Sequence, residues 1–101
     1  MSERRLMYFR TDWCGVCHAK VPVAQEIART LALPLEVHDM EGGDGAQLGE
    51  SLRITTVPTL ALVDGGRARF KLVGAMITPE NAAHLASLTR RPGDEPSREA
   101  G

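Results

Sequence analysis

The sequence predicts an α/β domain in the order β-α-β-α-β-β-α, a four-stranded mixed sheet with helices on both faces. Three observations carry that prediction. Residues 4–39 read as strand, helix, strand, an opening that implies a right-handed parallel crossover. "TLALV" (59–63) and "ARFKLV" (68–73) flank the turn "DGG" as an antiparallel hairpin. A helix with its own start signal, "TPENAAHLASL", closes the pattern.

Taken in order, "RRLMYFR" (4–10) has an apolar, partly aromatic centre followed by polar "TDW", as a short buried strand does. From Cys14 to Leu33, Val16, Ala19, Val23, Ile27 and Leu31 recur at helical spacing, with Ala24 and Ala28 beside them. Pro22 falls inside this helix, where it removes a backbone donor, and Pro34 closes the segment. "LEVHD" (35–39) is the second strand, "GGDG" (42–45) a loop, and residues 46–52 a short helix. After the hairpin, Gly74 breaks the run. Thr78 then stands as N-cap and Pro79 at the first helical position of a helix reaching about Thr89. The expected domain is 1–90. "RRPGDEPSREAG" has almost nothing apolar to bury, so 91–101 is expected to be a disordered tail.

Composition narrows the function. A chain of 101 residues, 43% hydrophobic and 25% charged, suits one globular domain. It would bury roughly 60 to 70% of the surface its unfolded form exposes. A net charge of −1 argues against nucleic acid as a main partner, since phosphate binding needs a basic excess. No apolar run approaches the ~20 residues of a spanning helix, so no membrane partner is expected. "MSERRLMYF" lacks the apolar core of a signal peptide, and a cytoplasmic location and a monomer are expected. The 2 cysteines share one motif, which favours catalysis or metal binding over a stapled scaffold.

That motif, "WCGVCH" (13–18), fits two chemistries: a dithiol that cycles to a disulfide, and the C-x-x-C-H pattern that attaches a c-type haem. A strand running into a helix whose first turn holds the cysteines is the redox context. Side chains three apart on a helix lie about 5 to 6 Å apart, near disulfide geometry. The helix N-terminus offers unpaired N–H groups and the positive end of the dipole, which stabilise a thiolate. Cys14, nearer that end, is therefore the better nucleophile, and Cys17, one turn in, the thiol that resolves a mixed disulfide. Gly15 leaves room for a substrate backbone. Haem attachment would also require a distal ligand and an open pocket, and Met40 and Met76 read as packing residues. Two thiols and a histidine make at most an incomplete zinc site.

"WCGVC" resembles the W-C-G-P-C active site of the thioredoxin family, and Pro22 stands where thioredoxins carry a helix-kinking proline. "TTVPT" (55–59) is similar to the family's segment with a cis proline against the dithiol, and "VGA" (73–75) to its glycine-containing strand end. These matches keep the family's order over residues 5–89. The resemblance implies a thioredoxin-like fold and a protein-disulfide reductase with no bound cofactor beyond a redox-active Cys14–Cys17 disulfide. Protein disulfides would be its substrates and a thioredoxin-reductase-like protein its electron donor. It further implies that Trp13, Val57, Pro58 and Gly74 form an apolar rim for an extended peptide, Val57 pairing with its backbone, and that the Pro58 ring blocks metal capture by the thiols.

The chain departs from the family in three ways. The usual opening strand and helix are not seen ahead of residue 4. Tyr8 and Leu35 replace a buried aspartate and its lysine partner. Val16 and His18 replace the active-site proline and a cation, where the potential is tuned within roughly −270 to −120 mV. His18, one turn beyond Cys14, is a candidate to reach the thiolate or shuttle a proton, against a solvent-facing role. Asp39 is a candidate carboxylate acting through water, against a solvated strand end. Tyr8 is either plain core or a hydrogen-bond donor near Cys17. His38 and His84 show no partner pattern. Two alternatives remain: a glutaredoxin-like, glutathione-dependent oxidoreductase, and a thioredoxin-like adaptor whose dithiol is seldom used.

Overall fold

The computed structural model describes residues 4–89, so the tail expected at 91–101 lies outside the described residues. The chain runs β1 (Arg4–Arg10), α1 (Gly15–Leu31), β2 (Leu35–Asp39), α2 (Gly43–Ser51), β3 (Thr59–Asp64), β4 (Arg67–Val73), a 3₁₀ turn (Gly74–Met76) and α3 (Pro79–Leu88). The strands form one sheet in the order β2-β1-β3-β4. β1 pairs parallel with β2, while β3 pairs antiparallel with both β1 and β4. The order and the mixed sheet agree with the expectation from sequence.

Strand alternation divides β1 between two cores. Leu6 and Tyr8 face Ala24, Ile27 and Ala28 of α1, Ala82 of α3, and Leu60 and Leu62 of β3. Met7 and Phe9 face the other way, onto Leu52, Ile54, Ala61 and Val63, with Leu48 of α2 packed against them. β1 and β3 therefore lie between helical layers and read as near-continuous apolar runs. β4 alternates exposed and buried side chains, as an edge strand with one solvated face does.

Three boundary differences have a local cause; the hairpin strands also extend by one residue each, to Asp64 and from Arg67, and α2 ends one residue earlier, at Ser51. α1 starts at Gly15, with Cys14 as N-cap, and ends at Leu31. Ala32 adopts the left-handed conformation (φ 57°) and donates to Ala28 and Arg29, while Leu33 donates to Ala28. Leu33 is thus outside the helix, because the cap has already turned the chain toward β2. The buried face of α1 is Cys17, Ala24, Ile27 and Ala28, whereas Val16 and Ala19 are exposed. Pro22 lies on the solvent side. There the His18 carbonyl, which loses its i+4 donor, can bond to water. Met76 is likewise exposed, not a packing residue, since the 3₁₀ turn carries it outward.

The third difference has the clearest steric cause. α2 begins at Gly43, so most of "GGDG" is helix. A Cβ on Gly45 would stand 2.1 Å from the Asp39 carbonyl oxygen. The glycine permits close approach of helix to strand end. Gly45→Ala is expected to destabilise the fold by about 1 to 3 kcal/mol through forced separation. Gly43→Ala, with nothing within 4 Å of its Cβ, should be neutral or slightly stabilising. Chemical denaturation of the two variants beside the parent checks this; equal midpoints would refute it.

The hairpin turn is the two residues Gly65 and Gly66, both at positive φ, with a bulge near Leu62 and Val63. Thr78 caps α3 by accepting from the Asn81 N–H at 3.1 Å, and Pro79 is in its first turn. Among the described residues, no helix is long and apolar enough to cross a membrane.

Candidate active site

Cys14 and Cys17 are joined in a disulfide at the start of α1, their Cα atoms 5.2 Å apart. Their environments differ. Cys17 is 0% exposed, beneath the first turn, while Cys14 keeps 8% of its surface. The Cys14 Sγ accepts the backbone N–H of Cys17 at 3.1 Å, so the sulfur does the work of an N-cap oxygen. The first turn of α1 contains no acidic residue. Negative charge on Cys14 would meet backbone donors and the positive helix end, with no carboxylate in that turn to oppose it.

Tyr8 takes the position of the expected acid. Its ring is fully buried under α1, and its hydroxyl donates to the Cys17 carbonyl at 2.5 Å. Burial raises the phenol's pKa above 10.0, an effect only partly offset by the charge of Arg10, so the group is a neutral donor. In the β1–β2 register Tyr8 lies opposite Val37, with Leu35 opposite Leu6. The site thus ties the Cys17 backbone to the sheet through a phenol.

The other candidates are distributed around this pair. The Val57–Pro58 bond is cis, and Pro58 is buried. Pro58's carbonyl accepts the Gly74 N–H at 2.9 Å, which joins "VPT" to "VGA" at the end of the β3–β4 ladder. Gly74 has φ +56°, a left-handed conformation that suits glycine. Lys20 reaches from α1 to the Ile77 carbonyl at 3.1 Å and holds the chain after the turn. Gly15 is open, with nothing within 4 Å of where a Cβ would be. Trp13 is 71% exposed, and Val16 is also exposed.

His18 is directed elsewhere than the dithiol. Its Nε2–H donates to the Asp12 carbonyl at 2.8 Å, an assignment that puts its proton on Nε2. Asp12's carboxylate is bound to Arg10 at 2.6 Å, and that hydrogen bond and charge lower its pKa below 3.8. Asp39's carboxylate accepts the Glu41 N–H at 2.8 Å, so it braces the turn after β2.

Two participants, Glu41 and Thr11, carry no mark in the sequence. Glu41 accepts the Trp13 indole N–H at 2.7 Å and orients the exposed ring. Thr11, Met40, Thr55 and Thr56 join Trp13 and Val57 around a groove of 380 Å³. Thr11 is buried, and its hydroxyl has no partner among the described residues. Nothing in the local pattern marks Glu41 or Thr11, because these groups meet only when the ends of β1 and β2 and the segment before β3 converge.

Comparison with known proteins gives a consistent result. The thioredoxin family model matches residues 1–87. The chain is 30% identical over 83 residues to the thioredoxin of Alicyclobacillus acidocaldarius, a match covering 82% of this chain and 79% of that one. It is 30% identical over 70 residues to a bifunctional thioredoxin reductase/thioredoxin of Mycobacterium leprae, covering 69% of this chain but only 15% of that protein's length. A mutant thioredoxin from Halobacterium salinarum shares the fold, with a TM-score of 0.71 at 24% identity over 88% of this chain and 77% of that one. A complex of ferredoxin:thioredoxin reductase with thioredoxin f2 is also among the structural neighbours. With a dithiol at a helix N-terminus, a cis proline before β3 and a family match over most of its length, the chain belongs to the thioredoxin family.

Proposed function

We propose that this chain is a thiol–disulfide oxidoreductase that reduces protein disulfides, with Cys14 as nucleophile and Cys17 as resolving thiol. The observation that carries the assignment is the unequal burial of a bonded pair. An incoming disulfide meets Cys14 first, and Cys17 is screened from solvent. In the reduced protein, the Cys14 thiolate attacks one substrate sulfur, forming a mixed disulfide and releasing the other sulfur as thiolate. Cys17 gives up its proton and attacks the Cys14 sulfur, which frees the second substrate sulfur and leaves the Cys14–Cys17 bond. Two electrons and two protons pass to the substrate, and an external reductant must restore them.

In this reading Trp13, Val57, Pro58 and Gly74 form the rim that receives the peptide, with Gly15 leaving room beside Cys14. The exposed Trp13 ring, held by Glu41, supports that role. Val16 retains a backbone N–H in the first turn that a proline would lack, one more donor near the Cys14 sulfur. Tyr8 positions Cys17, and with no carboxylate in its place, the proton from Cys17 passes to solvent or to the departing substrate thiolate. Asp39 braces the turn after β2 that carries Glu41.

The electron donor we propose is a thioredoxin-reductase-like protein, the activity named beside thioredoxin in the mycobacterial relative. A cytoplasmic location and a domain spanning 1–90 complete the reading. Turnover of a protein disulfide with NADPH and a thioredoxin reductase, against turnover with glutathione alone, tests it. Activity with glutathione only would favour the glutaredoxin-like alternative.

Because the imidazole is committed to Asp12, His18→Gln should leave the pH dependence of Cys14 alkylation within a few tenths of a unit of the parent. A shift of a full unit would assign His18 to the thiolate instead.

A further inference from the structure

We infer that the free edge of β2 is a self-association surface, pairing antiparallel with β2 of a second copy about a two-fold axis at Val37. Among the described residues, the sheet order leaves β2 and β4 as its two edges. Their chemistry is opposite. β4 exposes Arg67, Arg69 and Lys71 along its length, with a bulge between them, so pairing with its own copy crowds cations along the edge, a usual protection of an edge. β2 carries no such block.

The ladder with β1 shows which groups of β2 are available. The Pro34 carbonyl accepts from Leu6, and the Met40 N–H donates to Arg10. A parallel ladder uses alternate residues, so 34, 36, 38 and 40 bond to β1, and Leu35, Val37 and Asp39 turn their backbone groups outward. Among the described residues, only the Asp39 carbonyl of these is occupied, by the Gly42 N–H.

These outward groups are self-complementary. Antiparallel pairing centred on Val37 makes two bonds between the Val37 residues and two more from the Asp39 N–H groups to the Leu35 carbonyls. It also sets Glu36 of each copy opposite His38 of the other, at the non-hydrogen-bonded positions where side chains approach most closely. The same chemistry already operates within one chain: His38 Nε2–H donates to Glu36 Oε1 at 2.9 Å, while Arg5 holds Oε2 at 2.6 Å. That carboxylate is pre-oriented on the face where His38 of the second copy would arrive. On the opposite face, Val37 is 49% exposed and would cover its counterpart. The result is one continuous sheet through both copies, an isologous dimer in place of the monomer expected from sequence.

Sedimentation velocity on the full 101-residue oxidised chain, from about 10 μM to about 1 mM, tests this across the affinity range of weak dimers. The weight-average mass is expected to rise toward twice the monomer value. Val37→Pro deletes an outward N–H without touching the β1 ladder and should weaken the dimer at least about tenfold. Val37→Lys leaves the backbone intact but opposes two cations across the axis and should act in the same direction. Circular dichroism verifies that both variants fold. A single monomer at every concentration overturns the proposal, as does a dimer that neither variant weakens.

Discussion

Cys14→Ser is expected to abolish reduction of a protein disulfide, lowering turnover by roughly three orders of magnitude or more. The alcohol cannot attack a disulfide, and Cys17 cannot substitute, because it is wholly buried beneath the first turn of α1. Cys17→Ser has a different signature. Cys14 still attacks, but nothing adjacent resolves the product, so a covalent adduct with the substrate should accumulate. Dithiothreitol-driven turnover and non-reducing mass spectrometry on the two variants separate these outcomes. Sustained turnover in Cys14→Ser, or adducts of Cys14→Ser in place of Cys17→Ser, would reverse the roles given to the two thiols.

Tyr8→Asp is expected to lower stability by about 3 to 5 kcal/mol at pH 7. The exchange removes a fully buried aromatic ring and puts a carboxylate in its place. Leu35, on β2, is aliphatic, Tyr8 pairs with Val37, and the charge of Arg10 offsets the cost of burial only in part. The pH dependence has a definite sign. Burial raises the folded-state pKa of the new carboxyl above its unfolded value of about 3.9. Stability relative to the parent is therefore greatest below about pH 4 and is lost as pH rises through the folded-state value. Tyr8→Phe keeps the shape and loses only the bond to the Cys17 carbonyl, at a cost of about 1 kcal/mol. Urea denaturation of the parent and both variants at pH 4 and pH 7 gives the comparison. A Tyr8→Asp protein as stable as the parent at pH 7, or relatively more stable there than at pH 4, would contradict a closed apolar setting behind the dithiol.

The two predictions concern different parts of the same helix start. The first depends on chemistry at its Cys14 cap, the second on the sheet beneath it. β1 connects them, since its C-terminal end leads directly into Cys14 while its buried face supplies the phenol that fixes Cys17.

Short-range patterns were enough to determine the element order, the hairpin, the Thr78 cap and the dithiol, because strand alternation, turn chemistry and helix capping act over a few residues. Only the tertiary structure decided which face of α1 is buried and where α2 begins, since both depend on how closely separate elements approach, as Gly45 does the Asp39 carbonyl. The same holds for the polar partners. Tyr8 and Cys17 are joined across β1 and α1, and Trp13 meets Glu41 only when the chain after β2 returns. His18 was legible as a neighbour of Cys14 on one helix, but a rotamer selects among partners in space, and its imidazole bonds the carbonyl of Asp12. The exposed edge of β2 is likewise a property of the assembled sheet: "LEVHD" reads as a strand in isolation, and becomes an edge only when β1 takes β3 on its other side.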